Sequence, residues 1–140
     1  FWSERSGFVA ALETLKVMKS QKTWLTISRK GQKIKKKWGE IFKKYNYDVE
    51  ISGLKSIPSF IFLKKNKERT TFISQEMLKK GIMCGSLLYV SVAHKDNLID
   101  NYLKQFEKVV SQMKKIENKK IDLKKKLLGP IKSESFKRLN

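Results

Sequence analysis

The sequence predicts an α/β domain, a small and mostly antiparallel sheet covered by helices, on three observations. Apolar residues recur at three- and four-residue steps over Phe8 to Met18, Trp24 to Tyr45 and Ile99 to Ile116, the period of an amphipathic helix. Between the last two stretches the period shortens: Val49 and Ile51 alternate, and Ser59-Phe60-Ile61-Phe62-Leu63 follows Pro58 as a buried strand would. With 140 residues, 40% of them hydrophobic, the chain can enclose one core.

The first helix carries Phe8, Ala11, Leu12, Leu15 and Met18, with Ser6 as its expected N-cap. Before it stands Phe1-Trp2-Ser3-Glu4-Arg5-Ser6-Gly7, next to a helix start whose free amides and dipole favour an anion. The chain opens without Met, and a terminal Phe-Trp pair is poorly suited to water, so a C-terminal piece of a longer protein is expected. A polar break, Lys19 to Thr23, leads to a second, long helix striped by Trp24, Ile27, Gly31, Ile34, Trp38, Ile41, Phe42 and Tyr45. Its other face holds Lys30, Lys33, Lys35, Lys36, Lys37, Lys43 and Lys44. Gly31 on the apolar stripe costs up to about 1 kcal/mol relative to Ala, which predicts a close backbone approach there.

After the two strands, Lys64 to Arg69 reads as a charged turn and Thr71 to Lys80 as a short helix closed by Gly81. Ile82-Met83 and Leu87 to Val92 are the next strand candidates, parted by Cys84-Gly85-Ser86. Asp96 is the expected cap of the last long helix, with Ile99, Tyr102, Leu103, Phe106, Val109, Val110, Met113 and Ile116 on one side. Lys114 to Lys126 reads as a Lys-rich tail or a frayed end of that helix, and Leu127-Leu128-Gly129-Pro130 stops it.

The formal net charge is +19, and residues 111–140 hold ten Lys/Arg against three Asp/Glu. Arginine occurs only at Arg5, Arg29, Arg69 and Arg138. Lysine is a hydrated point charge that solvates any exposed face, whereas bidentate base and phosphate recognition is served by arginine. A solvated surface is therefore the plainer reading, with a basic nucleic-acid-binding α/β module as the rival and a domain docking on an acidic partner as a third. Trp24, Trp38 and Tyr45 interleave with lysine at helical spacing, which favours core packing over base stacking.

Cys84 is the only cysteine, so no internal disulfide forms, which fits a reducing, cytoplasmic setting. No apolar run approaches the roughly 18 to 20 residues of a membrane span. His94 and Cys84 are the only Cys/His pair; a structural hydrogen bond suits His94 better than catalysis, and two ligands do not make a zinc site. Neither GxGxxG nor GxxxxGK[ST] occurs.

Three stretches together carry a family resemblance. Phe1-Trp2-Ser3-Glu4-Arg5-Ser6-Gly7 with Ala10-Ala11-Leu12 resembles the "TFWTERIG…AAL" segment of class III pyridoxal-phosphate-dependent aminotransferases, in the subgroup similar to glutamate-1-semialdehyde aminomutase. Ser91-Val92-Ala93-His94-Lys95-Asp96 resembles that subgroup's "S-x-AHT-x" segment before the last helix, with Lys95 where the pattern has Thr. Leu128-Gly129-Pro130-Ile131-Lys132 and Ser135-Phe136-Lys137-Arg138-Leu139-Asn140 resemble its "GPV…GFxRLN" ending, and Gly31, Gly53 and Gly81 fall where the family has glycines.

The resemblance implies the small C-terminal domain of a fold type I aminotransferase over 1–113, including a domain-linking first helix, followed by a tail over 114–140. It implies amino-group transfer through a Schiff base of pyridoxal 5'-phosphate between small-molecule donor and acceptor, in a homodimer without membrane. The Schiff-base lysine and the large cofactor-binding domain are expected upstream of Phe1, so the chain alone should hold no catalytic residue and be inactive. Phe1, Trp2 and Ser3 match positions beside a phosphate-binding Thr, and Glu4 and Arg5 match the active-site mouth. Both intermolecular transamination and intramolecular amino exchange fit this resemblance.

Overall fold

A computed structural model describes residues 4–133. Helix α1 (Ser6–Gln21) and α2 (Thr23–Lys44) meet at Lys22, whose left-handed backbone (φ 47°) turns the chain. Ser6 is not the N-cap. Val9 N donates to Arg5 O at 3.0 Å, which draws the helix start back, so Arg5 holds the cap position and no side chain bonds the first amides. No residue of α1 is buried; Phe8 stays 71% exposed.

Helix α2 buries Gly31, Ile34, Trp38, Ile41 and Phe42, as the stripe predicts. Trp24 departs from it: it lies in the first turn, ahead of the part that the sheet covers, and remains 44% exposed. Lys30 departs the other way. It is buried, and its Nζ donates to Val92 O at 3.1 Å.

Strands β1 (Val49–Leu54) and β2 (Ile57–Phe62) form an antiparallel hairpin in register from Val49 opposite Phe62 to Leu54 opposite Ile57. Gly53, at φ 80°, continues the pairing opposite Pro58, in a conformation that other residues resist. The Lys55 carbonyl of the hairpin turn lies over Gly31: a Cβ there would stand 1.8 Å from Lys55 O. The glycine thus permits the close approach that its place on the stripe implied.

The third strand expected over Leu87 to Val92 forms only as one isolated bridge, Ser59 to Leu87. Leu88 N and Val90 N donate to Pro58 O and Ser56 O, and Phe60 N donates to Ser86 O. Pro58 has no N–H to return to this segment, so the ladder stays incomplete on that side. Ile82-Met83 is not a strand.

Helix α3 (Asn66–Leu78) starts five residues before the expected Thr71, so Asn66 to Arg69 form its first turn. The side chain of Asn66 accepts from Phe62 N at 3.1 Å, tying the helix start to β2. Three turn residues later Gly81 (φ 71°) reverses the chain. In α4 (Asp96–Asn118), Lys95 is the cap; Asp96 is one residue inside, where its charge still complements the dipole. A 3₁₀ turn, Leu123–Lys126, follows, and Leu123 is buried at 3% exposure.

The core lies where α2, α3 and α4 cover one face of the hairpin. Trp38, Phe42, Phe60, Phe62 and Phe106 pack there, with Trp38 edge-on to Phe60 at 4.9 Å and Phe42 edge-on to Phe62 at 5.2 Å. Such offsets favour the ring quadrupoles by about 0.5–1.5 kcal/mol per pair beyond burial.

Candidate functional site

Of the site residues read from the sequence, Phe1, Trp2 and Ser3 lie outside the described residues, as does the closing stretch Ser135 to Asn140. Glu4 and Arg5 stand exposed at the start of α1, with Arg5 at the cap. Phe8, Val9, Leu12 and Leu15 are exposed along the helix that follows. This end of the molecule is thus a charged cap leading into an uncovered apolar helix.

His94 makes the structural bonds expected of it. Its Nδ1 accepts from Ser91 N at 3.1 Å, and its own N–H donates to Ser91 O. Cys84 is directed elsewhere: its Sγ lies 3.5 Å from Gly85 O and 3.8 Å from the Tyr102 hydroxyl. Burial pushes the thiol up to about 11, with the Tyr102 hydroxyl acting weakly against it, so the thiolate a nucleophile needs is disfavoured. Burial likewise holds the Tyr102 hydroxyl well above its ordinary range; its oxygen accepts from Trp38 Nε1 at 3.0 Å.

One network of charge ties helices to the hairpin. Arg69 of α3 bonds Glu117 of α4 through Nε at 3.0 Å and Nη2 at 3.2 Å, and its guanidinium lies 4.7 Å from the centre of the Tyr47 ring. The Tyr47 hydroxyl donates to Glu117 Oε2 at 2.9 Å. Burial first, and the Glu117 carboxylate second, push that phenol upward. The trio staples α3 and α4 to the entry of β1.

Much of the lysine surface is paired or solvated. Lys33, Lys37 and Lys44 of α2 meet Asp100, Glu40 and Glu107. Trp38, one of the aromatics set among these lysines, is wholly inside the core and unavailable to a base. No group of three or more metal-ligating side chains forms among the described residues, and no described helix is long and apolar enough to cross a membrane.

Sequence reading missed one concavity, a groove of about 390 Å³ between α4 and the chain leaving α3. Ile34, Ile99 and Tyr102 are its buried side chains, and Met83, Leu88 and Leu98 line it further out. These residues come from three separate segments, so no local motif joins them; the one mark in the sequence was the break in periodicity around Gly81.

The chain is similar to the FumI protein of Sphingopyxis sp. MTA144, solved in its PLP internal aldimine form. The TM-score is 0.75 at 17% identity, over 84% of this chain and 29% of that one. At this identity the likeness is one of fold, and the chain spans less than a third of the protein it matches. No protein-family model matches the chain, and no curated protein does. The fold class expected from the sequence is the one found: a small α/β domain with helices on an antiparallel hairpin, a fold shared with part of that protein.

The described residues do not assemble a site for pyridoxal phosphate. Lys30, their one buried lysine, has its ammonium engaged by the Val92 carbonyl.

Proposed function

We propose that this chain is the small domain of a pyridoxal-phosphate-dependent enzyme of the aminotransferase class, in the subgroup similar to glutamate-1-semialdehyde aminomutase. The observation that carries the reading is the shared fold, at TM-score 0.75 over 84% of the chain, with a protein solved in its PLP internal aldimine form. The bare apolar side of α1 supports it, because a helix exposing Phe8, Leu12 and Leu15 suits a chain that packs against more protein. In this reading the Schiff-base lysine lies on the N-terminal side of Phe1, and the protein is a cytoplasmic homodimer that transfers an amino group between small molecules. Phe1, Trp2 and Ser3 sit near the cofactor phosphate, and Glu4 and Arg5 sit at the mouth of the active site. The cofactor supplies the electron sink, while this domain orders the substrate side and excludes water.

The test is the absorbance of the protein expressed together with the coding sequence preceding Phe1, after addition of pyridoxal phosphate. A visible band that survives gel filtration and shifts when an amino donor is added supports the reading. A protein that retains no cofactor overturns it. The burial of Trp38 and the pairing of the α2 lysines give the nucleic-acid rival no comparable support.

A further inference from the structure

The groove beside α4 has a chemical character that its lining defines. Its lining is mostly apolar, and three polar residues border it as well: Lys80, His94 and Asn101. All three present donors. Lys80 brings an ammonium without a protein partner among the described residues. His94 accepts at Nδ1 from Ser91 N, which places the proton of the neutral ring on Nε2. Asn101 accepts at Oδ1 from Gln105 Nε2, which leaves its own Nδ2–H groups as the donor side.

Among the described residues no acidic side chain lines the groove, and its one formal charge there is the positive one of Lys80. Its volume of about 390 Å³ falls within the roughly 300–1,000 Å³ typical of small-ligand sites. Met83, 92% exposed and unbranched, stands where it can fold over an occupant without disturbing the core. From this arrangement we infer that the groove binds a short-chain aliphatic carboxylic acid. The carboxylate is held by Lys80 with donor support from Asn101 and His94, and the hydrocarbon lies on Leu88, Leu98 and Ile99. An ammonium-to-carboxylate hydrogen bond is stronger than its neutral counterpart, so the charge on the ligand is required.

The full chain, labelled with ¹⁵N, would be titrated with 4-methylpentanoate, with 4-methylpentanamide as its uncharged analogue and with acetate as the charge alone. Saturable amide shifts at Gly81, Met83, Leu98 and Asn101 are expected with the acid, binding about tenfold weaker with the amide, and no saturation with acetate. Lys80→Met should lower the acid to the affinity of the amide. Leu98→Trp should abolish both by filling the groove. Lys80 and Leu98 are exposed, so both variants keep the core intact, and unchanged resonances elsewhere verify this. The inference is overturned if the acid gives no saturable shifts at these positions, if acid and amide bind equally, or if Leu98→Trp leaves binding unchanged.

Discussion

Replacing Gly31 by alanine separates helix propensity from packing, because the two predict opposite signs. Alanine is favoured over glycine in a helix interior by about 1 kcal/mol, so a helix judged on its own should gain stability. In the folded chain the added Cβ would meet Lys55 O at 1.8 Å, Lys55 C at 2.9 Å and Val90 Cγ2 at 3.3 Å. The first two are backbone atoms of the hairpin turn and cannot rotate aside, so α2 and the hairpin must separate by more than 1 Å to restore contact distance. Overpacking of this kind costs about 1–3 kcal/mol, and separation also opens the aromatic layer beneath. Gly31→Ala is therefore predicted to destabilise by about 2 kcal/mol net. Gly39, in the same helix, is the control: its Cβ would stand 3.6 Å from Ile51 Cδ1, an ordinary contact, so Gly39→Ala should be neutral or stabilising by up to about 1 kcal/mol. Urea denaturation of the three proteins at one pH measures both differences. If Gly31→Ala equals or exceeds the parent in stability, the helix does not meet the hairpin as described.

Three further outcomes follow from the buried groups. Tyr102→Phe removes the acceptor of Trp38 Nε1 and leaves a buried donor unpaired, which should cost about 1–3 kcal/mol in urea titration. Arg69→Met leaves Glu117, whose side chain is 15% exposed, with the Tyr47 hydroxyl as its one partner among the described residues; about 2–4 kcal/mol should be lost, and Arg69→Met/Glu117→Gln should recover part of it. Stability should fall as pH rises from about 9 to 11: unfolded Cys84 ionises near its ordinary 9.0, while the folded thiol stays protonated to about 11, so its contribution is complete below the lower value and lost toward the upper. The Cys84 share is on the order of 2–3 kcal/mol, and Cys84→Ala should flatten that part of the pH profile.

The two long amphipathic helices were legible because their stripes are long enough to override local noise, and Ile34, Trp38, Phe106 and Val110 are buried where the spacing put them. Gly31 was legible for the same reason, as a costly residue on a face that otherwise buries apolar mass. The expected third strand failed on a single atom, the missing proton of Pro58 N, which acts through pairing across the fold and leaves no trace in the 86–90 segment itself. The start of α3 was misread because Lys64 to Arg69 look like a polar turn, whereas Asn66 bonds Phe62 N and Arg69 finds Glu117 48 residues away. Lys30 and Trp24 exchange the environments their types suggest, since position along α2 relative to the sheet decides burial there. The groove beside α4 was invisible in one dimension because its polar members, Lys80, His94 and Asn101, share no local pattern.

The central claim, that this fold serves as the small domain of a pyridoxal-phosphate enzyme whose cofactor is anchored elsewhere, is tested most directly by borohydride trapping. The protein expressed with the coding sequence preceding Phe1 is incubated with pyridoxal phosphate, reduced, digested and mapped by mass spectrometry. The account predicts one stoichiometric pyridoxyl-lysine, on the N-terminal side of Phe1, and only scattered substoichiometric labelling among the lysines of residues 4–133. Stoichiometric labelling of a lysine within 4–133, or no stoichiometric label anywhere, would contradict it.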